Sequence, residues 1–248
     1  MSHSALAAAA EILRRSRCTL AFTGAGVSVE SGIQPFRGPG GLWAKHDPGQ
    51  FEISYFRANP GPAWRLLKTL FYEDMAKARP NPAHLALARL AAAGRLAAVV
   101  TQNIDGLHQA AGSPVVHEYH GSTRELLCLD CGALFAASDV PLEVLPPACP
   151  SCKGLLKPDI VFFGEPIPEK ASRAATEAAR HAEAVLVVGT TGGVMPAAAV
   201  PLLAKQCGAG IVEVNIRPSA YTHSVTDVFL EGPAGRVVSE LVRLVLGE

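Results

Sequence analysis

The sequence carries no excess charge of either sign, since 22 Lys and Arg residues balance 22 Asp and Glu residues among 248. A nucleic-acid-binding protein normally has a basic excess that neutralises phosphates, so nucleic acid is not indicated as a partner. No apolar run approaches the roughly 20 residues that a membrane-spanning helix needs, and the N-terminus has no targeting pattern. We therefore expect a soluble, cytoplasmic protein with no membrane partner.

Cysteine is scarce as well: the chain has six, which is too few for a disulfide scaffold. Four of the six form two C-x-x-C pairs, Cys128 with Cys131 and Cys149 with Cys152. Two such pairs supply the four thiolates of a closed tetrahedral zinc site. One structural zinc ion is expected, because no coordination position stays open for chemistry. Two redox pairs or chance cysteines are the alternatives.

Short apolar runs alternate with helical patterns, and no internal repeat or low-complexity tract interrupts them. This alternation predicts an α/β fold with a parallel sheet, whose strands are apolar throughout because helices cover both faces. Strands are expected at residues 19–23, 97–101, 115–119, 184–189 and 210–215. Helices are expected at residues 4–15, 82–93, 105–111, 196–207 and 234–246.

Two segments break this alternation. Residues from about 38 to 79 contain large aromatic side chains (Trp43, Phe51, Phe56 and Trp64) but no clear strand, and residues from about 125 to 157 contain the paired cysteines. We interpret both as insertions that form a small module beside the main sheet. The large domain then comprises residues 1–37, 80–124 and 158–248, and the small domain comprises residues 38–79 and 125–157.

Small or hydrogen-bonding residues follow each predicted strand. In open parallel sheets, ligands bind beyond the carboxyl ends of the strands, so these residues are the first candidates for a site. They are Gly24-Ala25-Gly26, Gln102-Asn103-Ile104-Asp105, His120-Gly121-Ser122, Thr190-Thr191-Gly192 and Asn215.

The glycines after the first strand allow backbone N–H groups to approach a pyrophosphate closely. The dinucleotide-binding fingerprint has a third glycine where this chain has Val29, so a plain tight turn is an equal alternative. Phe36 and Arg37 follow, and arginine suits phosphate because its planar fork donates two hydrogen bonds. A surface arginine packed on the phenylalanine is the other interpretation.

Three polar side chains, Gln102, Asn103 and Asp105, follow the second strand. Asp105 could simply cap the next helix, but a cap leaves Gln102 and Asn103 unexplained. On an extended strand, His117 and His120 point to opposite faces because the side-chain period is two. His120, at the strand end, is placed to act as a general base near neutral pH; a structural histidine is the alternative.

The run from Ile160 to Phe163 is β-prone and leads to Gly164. Its backbone could pair with an extended peptide as an added strand. A buried strand of the sheet explains the run equally well.

In this order, the motifs resemble the sirtuin family of NAD-dependent protein deacylases, of bacterial or archaeal type. The resemblance runs from about Ala21 to the C-terminus. It consists of GAGVSVESGI with FRG, PNPAH, TQNIDGLHQAAG, HGS, both C-x-x-C pairs, KPDIVFFGE, GTT and the strand-end Asn215. Gln34-Pro35 departs from the Pro followed by Asp or Thr that is usual in the family, and Thr191 replaces the usual Ser.

The resemblance implies a Rossmann-like large domain flanked by helices, an inserted zinc-binding and helical domain, and a cleft between them for NAD and acylated peptide. It also implies that NAD is consumed. The acyl oxygen of a modified lysine attacks the ribose carbon that bears nicotinamide, and His120 then activates a ribose hydroxyl that attacks the acyl carbon. The products are free lysine, O-acyl-ADP-ribose and nicotinamide, which is a product inhibitor.

The resemblance also assigns roles to residues. His120 and Asn103 are catalytic, with Asn103 positioning the reacting ribose. The pyrophosphate and ribose are held by Gly24, Ala25, Gly26, Arg37 and Gln102. The nicotinamide pocket is lined by Ile104 and Asp105, and Phe36 excludes water. The adenosine half of NAD is held by Gly189, Thr190, Thr191, Asn215, Ile216 and Ala234. Val161, Phe162, Phe163 and Gly164 face Gly193 and Val194 across the substrate backbone.

The expected reaction is deacetylation of lysine in proteins or peptides. Family members that prefer acidic acyl chains carry a Tyr-x-x-Arg pair. Here the residues three positions after Tyr55, Tyr72, Tyr119 and Tyr221 are Ala58, Met75, Ser122 and Ser224. Acetyl or other neutral acyl groups are therefore expected. The alternatives are an oxidoreductase that uses NAD as a hydride carrier, an ADP-ribosyltransferase or NAD hydrolase, and a zinc-ribbon binding module on an inactive scaffold.

Overall fold

The computed structural model describes residues 2–38 and 40–248. Met1 and Pro39, which the sequence assigns to the large and small domains, lie outside the described residues. The centre of the fold is a six-stranded sheet. Its strands are β1 (Thr19–Thr23), β2 (Ala98–Thr101), β3 (Val116–Glu118), β7 (Ala184–Val188), β8 (Gly210–Asn215) and β9 (Val228–Glu231). They lie in the order β3-β2-β1-β7-β8-β9, and every pairing is parallel.

Helices cover both faces of this sheet, which is why its central strands are apolar throughout. On β1, Ala21 belongs to the core on one face, and Leu20 and Phe22 belong to the core on the other. The first face carries α1 (His3–Arg15), α4 (Pro82–Ala92) and α8 (Ala234–Leu246). The second carries α6 (Glu169–His181) and α7 (Ala199–Gln206). The predicted α/β fold is confirmed.

The small module combines a helical part with a second sheet. The helical part contains α2 (Ile53–Ala58), α3 (Pro60–Leu67) and a π-helical stretch, Lys68–Asp74. The sheet is antiparallel with the order β5-β4-β6, formed by β4 (Gly121–Cys128), β5 (Leu134–Ala136) and β6 (Leu156–Ile160). One apolar core joins the two parts, and within it the Trp64 indole N–H donates to the Leu156 carbonyl at 2.8 Å.

Several expectations need correction. Strand β9 and helix α6 of the large domain were not predicted, and neither were the individual strands and helices of the small module, β4, β5, β6, α2 and α3. The β-prone run at residues 160–163 is not a strand, since β6 ends at Ile160 and Phe163 makes only an isolated bridge with Glu52. The predicted helices at 105–111 and 196–207 are shorter, at α5 (Leu107–Ala110) and α7.

The parallel strands end in register at one edge of the sheet. Thr23 of β1 lies opposite Thr101 of β2 and Val188 of β7. The chain leaves β1 towards β2 and β3 on one side, and β7, β8 and β9 lie on the other side. Such a switch in strand order opens a crevice at the carboxyl edge, where ligands bind in this class of fold.

In the part of the chain that the structure describes, no helix has both the length and the apolar character needed to cross a bilayer.

Candidate functional site

A cavity of about 640 Å³ opens at this edge, between the parallel sheet and the small module. Most of the residues that the motifs single out lie along its wall. They are Gly24, Ala25, Gly26, Phe36, Arg37, Gln102, Asn103, Ile104, His120, Val161, Phe162, Phe163, Gly164, Gly189, Thr190, Thr191, Val194, Asn215, Ile216 and Ala234. Asp105 and Gly193 are not among the described residues that line it.

The wall also contains residues that sequence reasoning did not assign to the site. Three aromatic side chains, Trp43, Phe51 and Phe71, come from the helical part of the small module, and Glu30, Glu165 and Arg217 are charged. Trp43 links the aromatic group, since its ring centroid lies 5.3 Å from that of Phe36 and 4.9 Å from that of Phe51. The dense aromatic content of residues 38–79 was the available signal.

The glycines of the first motif are required by a close approach between two loops. The Gly26 N–H donates to the Gly189 carbonyl at 2.8 Å. A Cβ on Gly26 would lie 2.7 Å from the Gly189 Cα, and a Cβ on Gly24 would lie 2.8 Å from the Thr190 Cβ. Side chains at these positions would push apart the loops that follow β1 and β7, so the floor of the cavity needs glycine.

Amide side chains connect the ends of neighbouring strands across the cavity floor. The Gln102 amide donates to the Thr190 hydroxyl at 3.0 Å, and the Asn215 amide donates to the Thr190 carbonyl at 2.8 Å. The loops after β2, β7 and β8 are thereby held in one arrangement. The predicted convergence of the strand-end residues is a direct result of the parallel register.

Ser28 is the centre of a second, largely buried polar group. Its hydroxyl donates to Asp105 Oδ2 at 2.7 Å and accepts from the Asn103 amide at 3.1 Å. Asp105 Oδ1 accepts from the Leu107 N–H at 2.9 Å, so this carboxylate binds the first residue of the helix that follows, although the N-cap position itself is Gly106. Both of its oxygens have partners within the protein, and Asn103, which lines the cavity, is 6% exposed.

His120 presents one ring nitrogen for proton transfer. Its Nδ1 lies 3.0 Å from the Gln102 carbonyl oxygen. A carbonyl only accepts, so Nδ1 carries the proton and Nε2 keeps its lone pair. Burial lowers the pKa of His120 below its ordinary value of 6.5, and the bond to Gln102 offsets part of that shift. The ring is therefore neutral near pH 7, in the form that accepts a proton.

The four paired cysteines come together at the end of the small sheet. Their sulfur atoms all lie within 4.8 Å of one another, with Cys128 Sγ 3.5 Å from Cys152 Sγ and Cys131 Sγ 3.8 Å from Cys149 Sγ. Zinc–sulfur bonds of about 2.3 Å in a tetrahedron place the sulfurs about 3.8 Å apart, whereas a disulfide needs about 2.05 Å. The spacing therefore fits a tetrahedral metal site and does not fit disulfides.

Comparison with known proteins gives a consistent result. The model of the Sir2 family matches residues 24–196. The NAD-dependent protein deacylase 2 of Pyrobaculum aerophilum is 48% identical over 234 residues, which cover 94% of this chain and 93% of that protein. The NAD-dependent protein deacylase of Thermococcus kodakarensis is 44% identical, covering 96% of this chain and 94% of that protein.

Solved structures agree in fold over nearly the whole chain. A complex of a Sir2 homologue with NAD has a TM-score of 0.90 and 37% sequence identity, and the match covers 100% of this chain and 94% of that one. A complex of Sir2 with a p53 peptide and NAD has a TM-score of 0.84 and 36% identity, covering 96% and 95% of the two chains.

Proposed function

The chain belongs to the Sir2 family, and from that premise we propose that it removes acetyl groups from protein lysine side chains while consuming NAD. The strongest support is the position of His120, whose unprotonated Nε2 belongs to a neutral ring on the cavity wall. The same wall carries Asn103 and the glycine-rich floor. A base, a polar anchor for a ribose and a floor open to phosphate are what the reaction needs.

NAD is the co-substrate in this proposal. The pyrophosphate lies against Gly24, Ala25, Gly26 and Arg37. The N–H groups of Gly24 and Gly26 already donate to the Val188 and Gly189 carbonyls, so the two glycines contribute space, and the Arg37 guanidinium contributes the donors that suit phosphate oxygens. The adenosine half lies against the loops after β7 and β8, formed by Gly189, Thr190, Thr191, Asn215 and Ile216, and against Ala234 at the start of α8. Gln102 and Asn103 contact the ribose that reacts.

The nicotinamide end lies near Ile104. Asp105 acts there indirectly in the described conformation, because its two oxygens hold Ser28 and the start of α5. Phe36 closes this end of the cavity against water. Nicotinamide released here is expected to inhibit the reaction, because the same pocket rebinds it.

His120 supplies the proton transfer. The acyl oxygen of the modified lysine first displaces nicotinamide from the ribose carbon. Gln102 fixes the His120 ring through Nδ1, so Nε2 then takes the proton from a ribose hydroxyl as that hydroxyl attacks the acyl carbon. The lysine amine departs with that proton, and water adds to the acyl carbon, which leaves an acetyl ester on ADP-ribose and the former acyl oxygen on the ribose. The peptide backbone lies between two segments. One consists of Val161, Phe162, Phe163 and Gly164, and the other consists of Gly193 and Val194.

We also propose that one zinc ion occupies the four-cysteine cluster. Cys128, Cys131, Cys149 and Cys152 would hold it through their thiolates, which fill all four positions of a tetrahedron. The ion would stabilise the small module and take no part in the chemistry.

Product analysis tests the reaction class. The protein is incubated with an acetyl-lysine peptide, with and without NAD, and the products are identified by mass. Free nicotinamide together with O-acetyl-ADP-ribose, formed only when NAD is present, is the expected result. Reduced NAD would identify an oxidoreductase instead. Free ADP-ribose without peptide deacetylation would identify an NAD hydrolase, and ADP-ribose attached to protein would identify a transferase.

The pH profile of the reaction should show the lowered pKa of His120. As pH falls through that pKa, the ring gains a proton at Nε2 and can no longer act as a base. Because burial moves the pKa below 6.5, the acid limb of kcat/KM should have its midpoint below pH 6.5. The measurement uses a peptide with no ionisable side chain, so that the substrate does not titrate. A midpoint above pH 6.5 would contradict this assignment.

Acetyl-lysine should be a much better substrate than succinyl-lysine. The cations that line the cavity are Arg37, which is assigned here to the pyrophosphate, and Arg217, which directly follows Ile216 at the adenosine end. Arg57 and Lys68, in the helical part of the small module, are not among the described residues that line the cavity, and the Lys68 ammonium lies 3.7 Å from the Glu73 carboxylate. A buried carboxylate without a partner costs several kcal/mol, so kcat/KM should differ by on the order of 100-fold.

The matched control for this comparison is a peptide that carries the neutral amide of the succinyl group. It has the same size as the succinyl group but no charge, so it should be accepted better. Succinyl turnover equal to acetyl turnover would show that a cation reaches the acyl group.

A further inference from the structure

Lys157 is a buried cation directly beneath the loop of residues 161–164, which lines the cavity. The residue is 3% exposed. Its ammonium donates to the Ile160 carbonyl at 2.6 Å and to Glu165 Oε2 at 2.9 Å. The same ammonium lies 4.8 Å from the centroid of the Phe162 ring. One side chain thus binds residues on both sides of the loop.

Glu165 completes the link from the far end of the loop. Its Oε2 accepts from the Phe162 N–H at 2.9 Å as well as from Lys157, and the Glu165 N–H donates to the Phe162 carbonyl at 3.0 Å. Gly164 lies within this turn with φ of 85°, a conformation that favours glycine. The turn is closed by charge-assisted hydrogen bonds, which are stronger than neutral ones.

The burial of Lys157 is costly, and desolvation lowers the pKa of its ammonium. An apolar side chain of similar length would fill the same space in the core of the small module without that cost. Packing alone therefore does not account for a cation at this position. What the cation adds is a fixed geometry for the residues it binds.

The loop is also joined to the candidate base and to the helical part of the small module. The Val161 N–H donates to the His120 carbonyl at 2.9 Å, and the Phe163 N–H donates to the Phe51 carbonyl at 3.0 Å. Among the hydrogen bonds of the described residues, none engages the Val161 carbonyl or the Gly164 N–H. These two backbone groups remain for an incoming peptide.

We propose that the Lys157–Glu165 ion pair is the positioning element that holds residues 161–164 in the shape to which the substrate peptide binds. The proposal rests on the deacetylase function proposed above. Both are positioning residues: the pair acts on the peptide through Phe162 and the loop backbone. Disturbing it should weaken peptide binding and leave NAD binding and the proton transfer at His120 largely intact.

The test compares Lys157→Met and Lys157→Met/Glu165→Gln with the parent. Methionine keeps the length and apolar stem of the side chain but removes the donor to Ile160 and Glu165. The double variant leaves no unpaired buried charge. We expect the KM for an acetyl-lysine peptide to rise roughly tenfold in both, while KM for NAD and kcat change by no more than about threefold.

Arg173→Met is the matched control, because it removes one partner of the exposed Arg173–Glu169 pair on α6. Its peptide KM should equal that of the parent. The melting temperature of each variant is recorded alongside the kinetics, since a merely structural pair would lower Tm and the active fraction without moving KM.

The outcomes separate the two proposals. If the parent deacetylates the peptide and both variants keep the parent's peptide KM, the positioning role is wrong even where Tm falls. If the parent shows no NAD-dependent deacetylation, the proposed function fails and the positioning role fails with it. A raised peptide KM with unchanged KM for NAD supports both.

Discussion

His120→Ala is expected to lower kcat by roughly 100- to 10,000-fold, the usual contribution of a general base, while NAD binds nearly as tightly as to the parent. Alanine removes the Nε2 lone pair that takes the ribose proton. It also removes the bond from Nδ1 to the Gln102 carbonyl, but the glycine-rich floor and the Thr190 contacts do not depend on that bond. Turnover under saturating NAD and peptide, with NAD affinity measured by calorimetry, checks both parts.

His117→Ala is the matched control for this variant. His117 lies on β3, three positions before His120, and is not among the described residues that line the cavity. Its activity should stay within a few-fold of the parent. If His120→Ala also stayed within a few-fold, another group would have to be the base.

Cys128→Ala should lose the metal and destabilise the small module. The alanine variant offers three thiolates, and a structural zinc site supplies folding free energy directly, on the order of 10 kcal/mol in small zinc domains. Cys128 and Cys149 are also part of the core that contains Trp64 and Leu156, so loss of the ion exposes that core. We expect zinc content to fall from about one ion per chain to near zero, with a lower melting temperature.

Cys207→Ala provides the control, since Cys207 is exposed and lies outside the cluster. It should keep one zinc ion per chain and the melting temperature of the parent. A Cys128→Ala protein that is folded, metal-free and fully active would contradict a stabilising role for zinc.

The sequence predicted the parallel sheet and the edge at which the cavity opens because both depend on local patterns. Strands buried on both faces, such as β1, β7 and β8, are continuous apolar runs, and parallel strands bring their carboxyl ends to one edge. Residues as distant as Gly26 and Gly189 could therefore be placed together. The C-x-x-C pairs were equally informative, because the spacing within each pair reflects the geometry of the metal.

Strand β9 and helix α6 of the large domain were missed because their patterns are weak. Strand β9 has only four residues and is an edge strand with one fully buried residue, Leu230. Helix α6 buries only Ala175 and Ala179, so its apolar stripe consists of small side chains among many charged ones. Periodicity is hard to detect where the buried face is narrow and made of alanine.

The aromatic wall of the cavity was missed for a different reason. Trp43 lies 6.1 Å from Phe163 in ring-centroid distance, yet the two are far apart in sequence and no period relates them. Which face of the segment 38–79 turns to the cavity depends on how the small module packs on the sheet. The same tertiary packing decides that Asp105 contacts Ser28 and does not line the cavity.

The central claim is that the acetyl oxygen is transferred to the ribose of NAD, and isotope labelling tests it most directly. An acetyl-lysine peptide carrying ¹⁸O in the amide carbonyl is converted with NAD in ordinary water, and the products are analysed by mass at early times. If the amide oxygen attacks the ribose carbon, the label becomes part of ADP-ribose. It should remain there when the acetyl ester is hydrolysed, and the acetate that this hydrolysis releases should be unlabelled. Acetate that retains the label, together with lysine that is freed when NAD is absent, would contradict the account.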